Sequence, residues 1–299
     1  MRAFSNRRGI TVLDVLAAIA IIAILASLSM GQLAAARERA RRIKCASNLR
    51  QIGQGLMLYA VDSKAYPRVR YDHAPGAKMN AFTGAYAKDP FGADGPTTND
   101  ITAAIFLLVR NCDLSTEVFI CPTMNVERVQ SDRPVPDYAK WKKESPQNLS
   151  NFPGPEVLDY SIAQPYADDN AIKRGYKWSG NVSADWAIAA DANPGGQGLI
   201  EIKDNAPAAE LRKVNSLNHQ LEGQNVLYND GHCEWSVTIF AGANKDNIFT
   251  RAKVQQNAAG EWVQLDPPQS EEGVQPAWEL DSLLLPTPDM APKAEPSKQ

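Results

Sequence analysis

The chain lacks the signatures of the common enzyme classes. Its 299 residues hold no Gly-rich phosphate loop, no G-x-S-x-G elbow and no H-E-x-x-H helix, so nucleotide, acyl-transfer and zinc-protease chemistry have no motif to rest on. Gly195-Gly196-Gln197-Gly198 follows Pro194 and reads as a plain loop. Cysteine is confined to positions 45, 112, 121 and 233, with no C-x-x-C pair, which argues against a thioredoxin-like motif or a zinc ribbon. Neither sign of charge dominates. A net charge of −3 with 22% charged residues gives no electrostatic footprint for a polyanionic partner. No internal repeat is evident, and no proline occurs before Pro67, so nothing obliges an early helix to stop.

What the chain does have is concentrated in residues 7–33. Arg7-Arg8-Gly9 leads into Ile10-Thr11-Val12-Leu13-Asp14, and no residue from Val15 to Leu33 carries a charge. At about 1.5 Å per residue, that stretch has the length of a bilayer's hydrocarbon core. A secretory signal peptide has a shorter apolar region, followed by a small-residue cleavage site that Ala34-Ala35-Ala36 can mimic. The length favours a retained anchor.

Arg7 to Asp14 resembles the cleavage and N-methylation site of type IV prepilins and type II secretion pseudopilins. The resemblance implies that a prepilin peptidase cuts after Gly9 and that Ile10 becomes the methylated N-terminus. Ile10 stands where Phe is usual, and Asp14 where the fifth mature residue is normally Glu. In that family the carboxylate pairs with the N-terminal amine of an adjacent subunit during assembly. The physics agrees, because a carboxylate in lipid is costly unless it is paired or neutralised. The alternative places Asp14 at headgroup depth, solvated.

Arg2, Arg7 and Arg8 precede the apolar run, and Arg37, Arg39, Arg41, Arg42 and Lys44 follow it. Charge bias alone would keep the C-terminal bulk in the cytoplasm, but long domains translocate largely regardless of flanking charge. The resemblance implies a bacterial inner-membrane protein with a single pass, a cytoplasmic leader and an extracytoplasmic C-terminal domain. The basic cluster then faces anionic lipid or the next subunit's helix. It has no interleaved aromatics, so a nucleic-acid partner is not expected.

Beyond Ala34 the pattern stays helical to about Val61. Cys45, Leu49, Ile52, Leu56 and Tyr59 make one apolar stripe, which Gly53 and Gly55 weaken. Thr97 to Asp100 reads as a helix start, with Ile101, Ile105 and Leu108 on the buried face. Val118–Cys121, Leu158–Ala163, Trp186–Asp191, Asn225–Asn229 and Cys233–Thr238 are strand-like runs. Residues 62–98 and 122–157 are polar and irregular, as surface insertions are.

The run from Arg41 to Gly53 resembles a large bacterial subfamily of prepilin-like proteins that couples this helix to a C-terminal H-x(9–10)-DG element. The resemblance continues at Val118–Pro122, Asp159-Tyr160-Ser161, Ala189-Ala190-Asp191 and His219–Trp235. The expected fold is α+β, a pilin-like long N-terminal helix, membrane-spanning in its first half, packed on an antiparallel sheet with large loop insertions. The expected organisation is a leader at 1–9, a transmembrane helix at 10–33, its soluble continuation at 34–61, a globular domain at 62–264 and a Pro-rich tail at 265–299. That tail has too little apolar content to order itself, although Trp278 to Leu285 is amphipathic enough to dock.

His219, Asp230 and His232 form the densest polar grouping. Asp230-Gly231 lies between two strand-like runs and signals a hairpin. The three residues can then converge as ligands for a divalent transition metal. The competing reading is structural, with Asp230 capping the turn and His219 hydrogen-bonded to a carbonyl or to that carboxylate. No other cofactor is expected. The four cysteines allow three complete disulfide pairings, and sequence does not choose among them; a buried free thiol at Cys45 is the simpler alternative. The six tryptophans are scattered, as core residues are.

These features lead us to expect a non-enzymatic assembly component of a type II secretion or type IV pilus-like system, whose partners are prepilin peptidase, other pilin or pseudopilin subunits and the bilayer. The alternatives are a membrane-tethered ligand-binding or adhesive protein that does not assemble, and a metal-dependent periplasmic enzyme using His219, Asp230 and His232.

Overall fold

A computed structural model describes residues 11–74, 77–124, 145–195, 198–251, 254–256, 262–264, 276 and 278–285, with backbone alone at 26–31, 200, 254–256 and 262–264. The protein is α+β, with a long N-terminal helix and a five-stranded antiparallel sheet. The chain divides into two compact units, Met1–Arg41 and Arg42–Gln299. Helix α1 (Val12–Ser63) contributes to both.

In the first unit Thr11 caps the start of helix α1. Thr11 Oγ1 accepts from the Asp14 backbone N–H at 3.3 Å, and Asp14 Oδ2 accepts from the Thr11 backbone N–H at 2.9 Å and its hydroxyl at 2.8 Å. This reciprocal pair is a capping box with Asp in the Glu position. Val12, Leu13, Ile19 and Ile22 are each more than half exposed. Among the described residues, no helix is long and apolar enough to cross a membrane. The side chains of 26–31, in the second half of the expected span, lie outside those residues, as do Gly9 and Ile10.

In the second unit the same helix is amphipathic. Cys45, Leu49, Ile52 and Leu56 are fully buried and Tyr59 packs at the margin, which is the stripe expected from their spacing. The sheet has the order β4–β3–β2–β1–β7, built from β1 (Tyr160–Ala163), β2 (Ala187–Asp191), β3 (Gln224–Tyr228), β4 (Cys233–Ser236) and β7 (Leu284–Leu285). A separate hairpin joins β5 (Val254–Gln256) to β6 (Trp262–Gln264). The two glycines of the stripe are approach points. A Cβ on Gly53 would lie 3.1 Å from Leu227 of β3, and one on Gly55 would lie 3.4 Å from Leu114. Their propensity cost is offset by close packing of α1 on the sheet and on the segment after helix α2 (Ile101–Asn111).

Four expectations need correction. Val118–Cys121 is not a strand: Ser115 caps a 3-10 turn at Thr116–Phe119 that buries Val118 and Phe119. Residues 62–98 are not merely a surface insertion, because Tyr66, Val69, Met79 and Phe82 are buried in the core. Trp178 Nε1 donates to the Pro67 carbonyl at 2.9 Å and Val69 N donates to Tyr166 Oη at 3.0 Å, tying that segment down. Within 265–299, Leu283, Leu284 and Leu285 are fully buried, and β7 pairs with β1 as the sheet's edge strand. The docking stretch is the one noted for its amphipathic content. Helix α2 buries every residue from Ile101 to Val109 rather than one face alone, and Asp100 is its N-cap, accepting from Ala103 N.

Candidate functional site: a buried cysteine–aspartate–histidine cluster

Asp230 and His232 sit at the surface in the β3–β4 turn. Gly231 N donates to the Tyr228 carbonyl at 2.9 Å, with Gly231 at φ +90°, a conformation glycine supplies without strain. Asp230 Oδ1 accepts from His232 N at 3.0 Å and lies 2.5 Å from His232 Nδ1. The His232 backbone N–H holds the Asp230 carboxyl below its ordinary range. The His232 ring stacks on Tyr228 with centroids 4.4 Å apart. Both side chains are about half exposed, whereas His219 is fully buried. The expected triad therefore separates: Asp230 and His232 pair with each other in solvent, and His219 belongs to a different group.

That group is Cys45, Cys121, Asp191 and His219, whose ligand-type atoms all lie within 4.8 Å of one another. Each comes from a different element. Cys45 is on the buried stripe of α1. Cys121 follows the 3-10 turn, where its backbone N–H donates to Asp159 Oδ2 at 2.9 Å. Asp191 ends β2, in register with Tyr160 of β1. His219 is held inward by a run of left-handed residues, His219, Gln220 and Leu221, at φ 59–60°. Three consecutive non-glycine residues in that region are costly and persist only where surrounding contacts fix them.

Those contacts are specific. His219 Nε2 lies 3.5 Å from Asp191 Oδ2, 3.5 Å from Asn225 Nδ2 and 4.0 Å from Cys121 Sγ, while Nδ1 lies 3.1 Å from Thr123 Oγ1. Asp191 also accepts from Asn225 N at 2.6 Å, Asn225 Nδ2 at 3.0 Å and Asn218 Nδ2 at 3.3 Å. Burial opposes charge on His219, but its bonds to Asp191 and Cys121 outweigh that and push its pKa up to about 11. Burial pushes the Cys121 thiol well above its ordinary value, and the neighbouring Cys45 adds to the effect. Trp235 closes one side, its ring 5.6 Å from the His219 ring, with the Arg42 guanidinium 4.1 Å above it. Arg42 in turn pairs with Glu222.

A donor set of two thiols, one imidazole and one carboxylate suits a zinc-class ion, and Thr123 at Nδ1 is the kind of partner that orients a ligating imidazole. The sulfur pair fits less well. Cys45 Sγ and Cys121 Sγ are 2.8 Å apart, whereas two thiolates on one tetrahedral zinc are separated by about 3.8 Å, given Zn–S bonds of about 2.3 Å. All four side chains are fully buried, so the cluster as folded offers no surface to a substrate.

Sequence reasoning identified His219 but missed Asp191 and did not join Cys45 to Cys121. The available signal was the set of islands carrying the prepilin-like resemblance, since each supplies a wall of this cluster: Cys45, Cys121, Asp159, Asp191, then His219 and Trp235. Residues 34–170 match the family model described as "Protein of unknown function (DUF1559)", which is consistent with a pilin-like protein. The match spans Cys45 and Cys121 but ends before Asp191 and His219. No curated protein matches the chain, and no solved structure matches it.

Proposed function

We propose that this chain is a pseudopilin-like, single-pass membrane protein that works by assembly rather than catalysis. One observation carries the reading: a single helix, Val12–Ser63, has an exposed apolar front from Val12 to Leu25 and a rear whose apolar stripe is the core of a sheet domain. An apolar front without protein cover is suited to lipid and then to the equivalent helices of partner subunits, and Ala17, Ala18 and Ala23 allow close approach there. The DUF1559 match over 34–170 supports the pilin-like class. The prepilin-like pattern from Arg7 to Asp14 supports processing by a prepilin peptidase at Gly9–Ile10, with methylation of Ile10 and an extracytoplasmic sheet domain. The full burial of the cluster around His219, with Asp230 and His232 apart from it at the surface, favours a structural over a catalytic role for His219.

Mass spectrometry of the native N-terminus tests this. The expected result is a methylated Ile10 in the membrane fraction. An intact Met1, or a start beyond Ala36 in a soluble protein, would overturn it. Crosslinking to pilin-family subunits in the same membranes separates assembly from a tethered binding or adhesive role, which predicts no such crosslinks.

A further inference from the structure

We propose that Cys45 and Cys121 form a disulfide under oxidising conditions, fastening helix α1 to the segment leading into β1, while Cys112 and Cys233 remain thiols. Of the three complete pairings that four cysteines permit, the structure brings one pair of sulfurs together, at 2.8 Å. A covalent bond needs them to close to about 2.05 Å, a smaller movement than the separation to about 3.8 Å that a shared zinc requires. The other two cysteines are engaged elsewhere. Cys112 Sγ faces the Gly55 carbonyl at 3.6 Å, and Cys233 lies at the start of β4, opposite Leu227. The remaining members of the cluster are satisfied without either sulfur as a ligand. Asp191 has three amide donors and His219, and His219 Nδ1 has Thr123.

The oxidant is a disulfide of the glutathione or dithiol-oxidoreductase class, RSSR. One cysteine thiolate attacks RSSR, forming a mixed disulfide and releasing RS⁻. The second cysteine then attacks the mixed disulfide at the first cysteine's sulfur, closing the Cys45–Cys121 bond and releasing a second RS⁻. Two thiols are oxidised, one RSSR is reduced to two RSH, and the cysteine protons leave on the two RSH. Both sulfurs are fully buried in the folded domain, so exchange takes place before the domain closes, and the finished bond is shielded from reductant.

The test uses the full chain in detergent, equilibrated in denaturant with oxidised and reduced glutathione and then refolded. Remaining thiols are alkylated in denaturant without further reductant, and peptides are read by mass spectrometry. The expected result is a Cys45–Cys121 linked peptide, lighter by two hydrogens than its separate halves, with alkylation at Cys112 and Cys233 alone. Alkylation of both Cys45 and Cys121 would overturn the proposal, as would stoichiometric zinc bound to protein with all four thiols reduced. Variants give an independent reading. Reductant added in denaturant should lower the unfolding midpoint of wild type and of Cys112→Ser/Cys233→Ser, and leave Cys45→Ser/Cys121→Ser unmoved; a midpoint insensitive to reductant in wild type would count against the bond. The same alkylation on protein trapped directly from cells addresses location separately. A bond that forms in glutathione but is missing in cells supports the chemistry and contradicts the extracytoplasmic placement.

Discussion

His219 Nε2 lies 3.5 Å from Asp191 Oδ2, and both side chains are fully buried. The pair joins the left-handed segment before β3 to the end of β2, at the centre of the sheet. A buried carboxylate that loses its cationic partner is left uncompensated, which typically costs about 3–5 kcal/mol.

His219→Gln should therefore destabilise the domain by about 3–5 kcal/mol near neutral pH. The pH dependence has a defined sign. In the reduced protein, where the Cys121 thiol also bonds it, the folded pKa of His219 is raised from 6.5 to about 11, so its contribution is fully present below 6.5 and is lost as pH rises towards 11. Urea midpoints measured from acid to alkaline pH should show wild type losing its advantage over His219→Gln across that window. A constant gap between the two proteins would contradict a charged His219.

Gly53 tests the contact between α1 and the sheet. A Cβ there would meet Leu227 Cδ2 at 3.1 Å, the flexible end of a side chain. Gly53→Ala combines a helix-propensity gain of roughly 1 kcal/mol with a small displacement of Leu227, so its unfolding free energy should stay within about 1 kcal/mol of wild type. Gly53→Val pushes a methyl group further into Leu227 and should cost about 1–3 kcal/mol. Equal stability of the Val and Ala variants would mean that α1 does not lie this close to β3.

Much of the fold was legible because its signals are local. The stripe Cys45–Leu49–Ile52–Leu56 repeats at helical spacing, and the β3–β4 hairpin announces itself through Asp230-Gly231 between two strand-like runs. β7 was not legible as a strand, since Leu284–Leu285 is too short to show alternation and its partner, Ile162–Ala163, is remote in the chain. The site was half legible for the same reason. Asp230 and His232 are neighbours in sequence and drew His219 towards them, whereas the true partners of His219 are set by sheet register and by the turn after α2. Asp191 gave no local sign of its role, because it ends an otherwise apolar strand whose alanines read simply as core.

Asp246 carries a second pH-dependent term, of the kind that stabilises acid rather than alkaline conditions. Its side chain is fully buried, and Oδ2 accepts from Ser282 N at 3.0 Å, fastening the segment before β7. Burial, with repulsion from Asp281 added, raises its pKa well above 3.8. The folded state then holds a proton that the unfolded chain releases, so stability is greatest below 3.8 and falls as pH rises through the folded value. Asp246→Asn keeps an oxygen for Ser282 and removes the titration. Its melting temperature relative to wild type should climb as pH rises above 3.8, and a fixed difference across that range would show that Asp246 does not hold the proton.

Asp14 has two proposed tasks that a single pair of substitutions separates. The structure gives it a local task, since Oδ2 accepts two hydrogen bonds from Thr11 and completes the cap of α1. The assembly reading gives it a charge-dependent task, pairing with the amine of a neighbouring subunit's Ile10. Asp14→Ala removes both, and loss of the cap alone should loosen the first turn of α1. Asp14→Asn retains an oxygen acceptor for Thr11 and removes the charge. Both variants should insert into membranes. If the charge matters, both should fail to crosslink to partner subunits, because the Asn variant has a cap but no carboxylate. Crosslinking retained by Asp14→Asn and lost by Asp14→Ala would assign Asp14 to helix capping and withdraw the charge-pairing role.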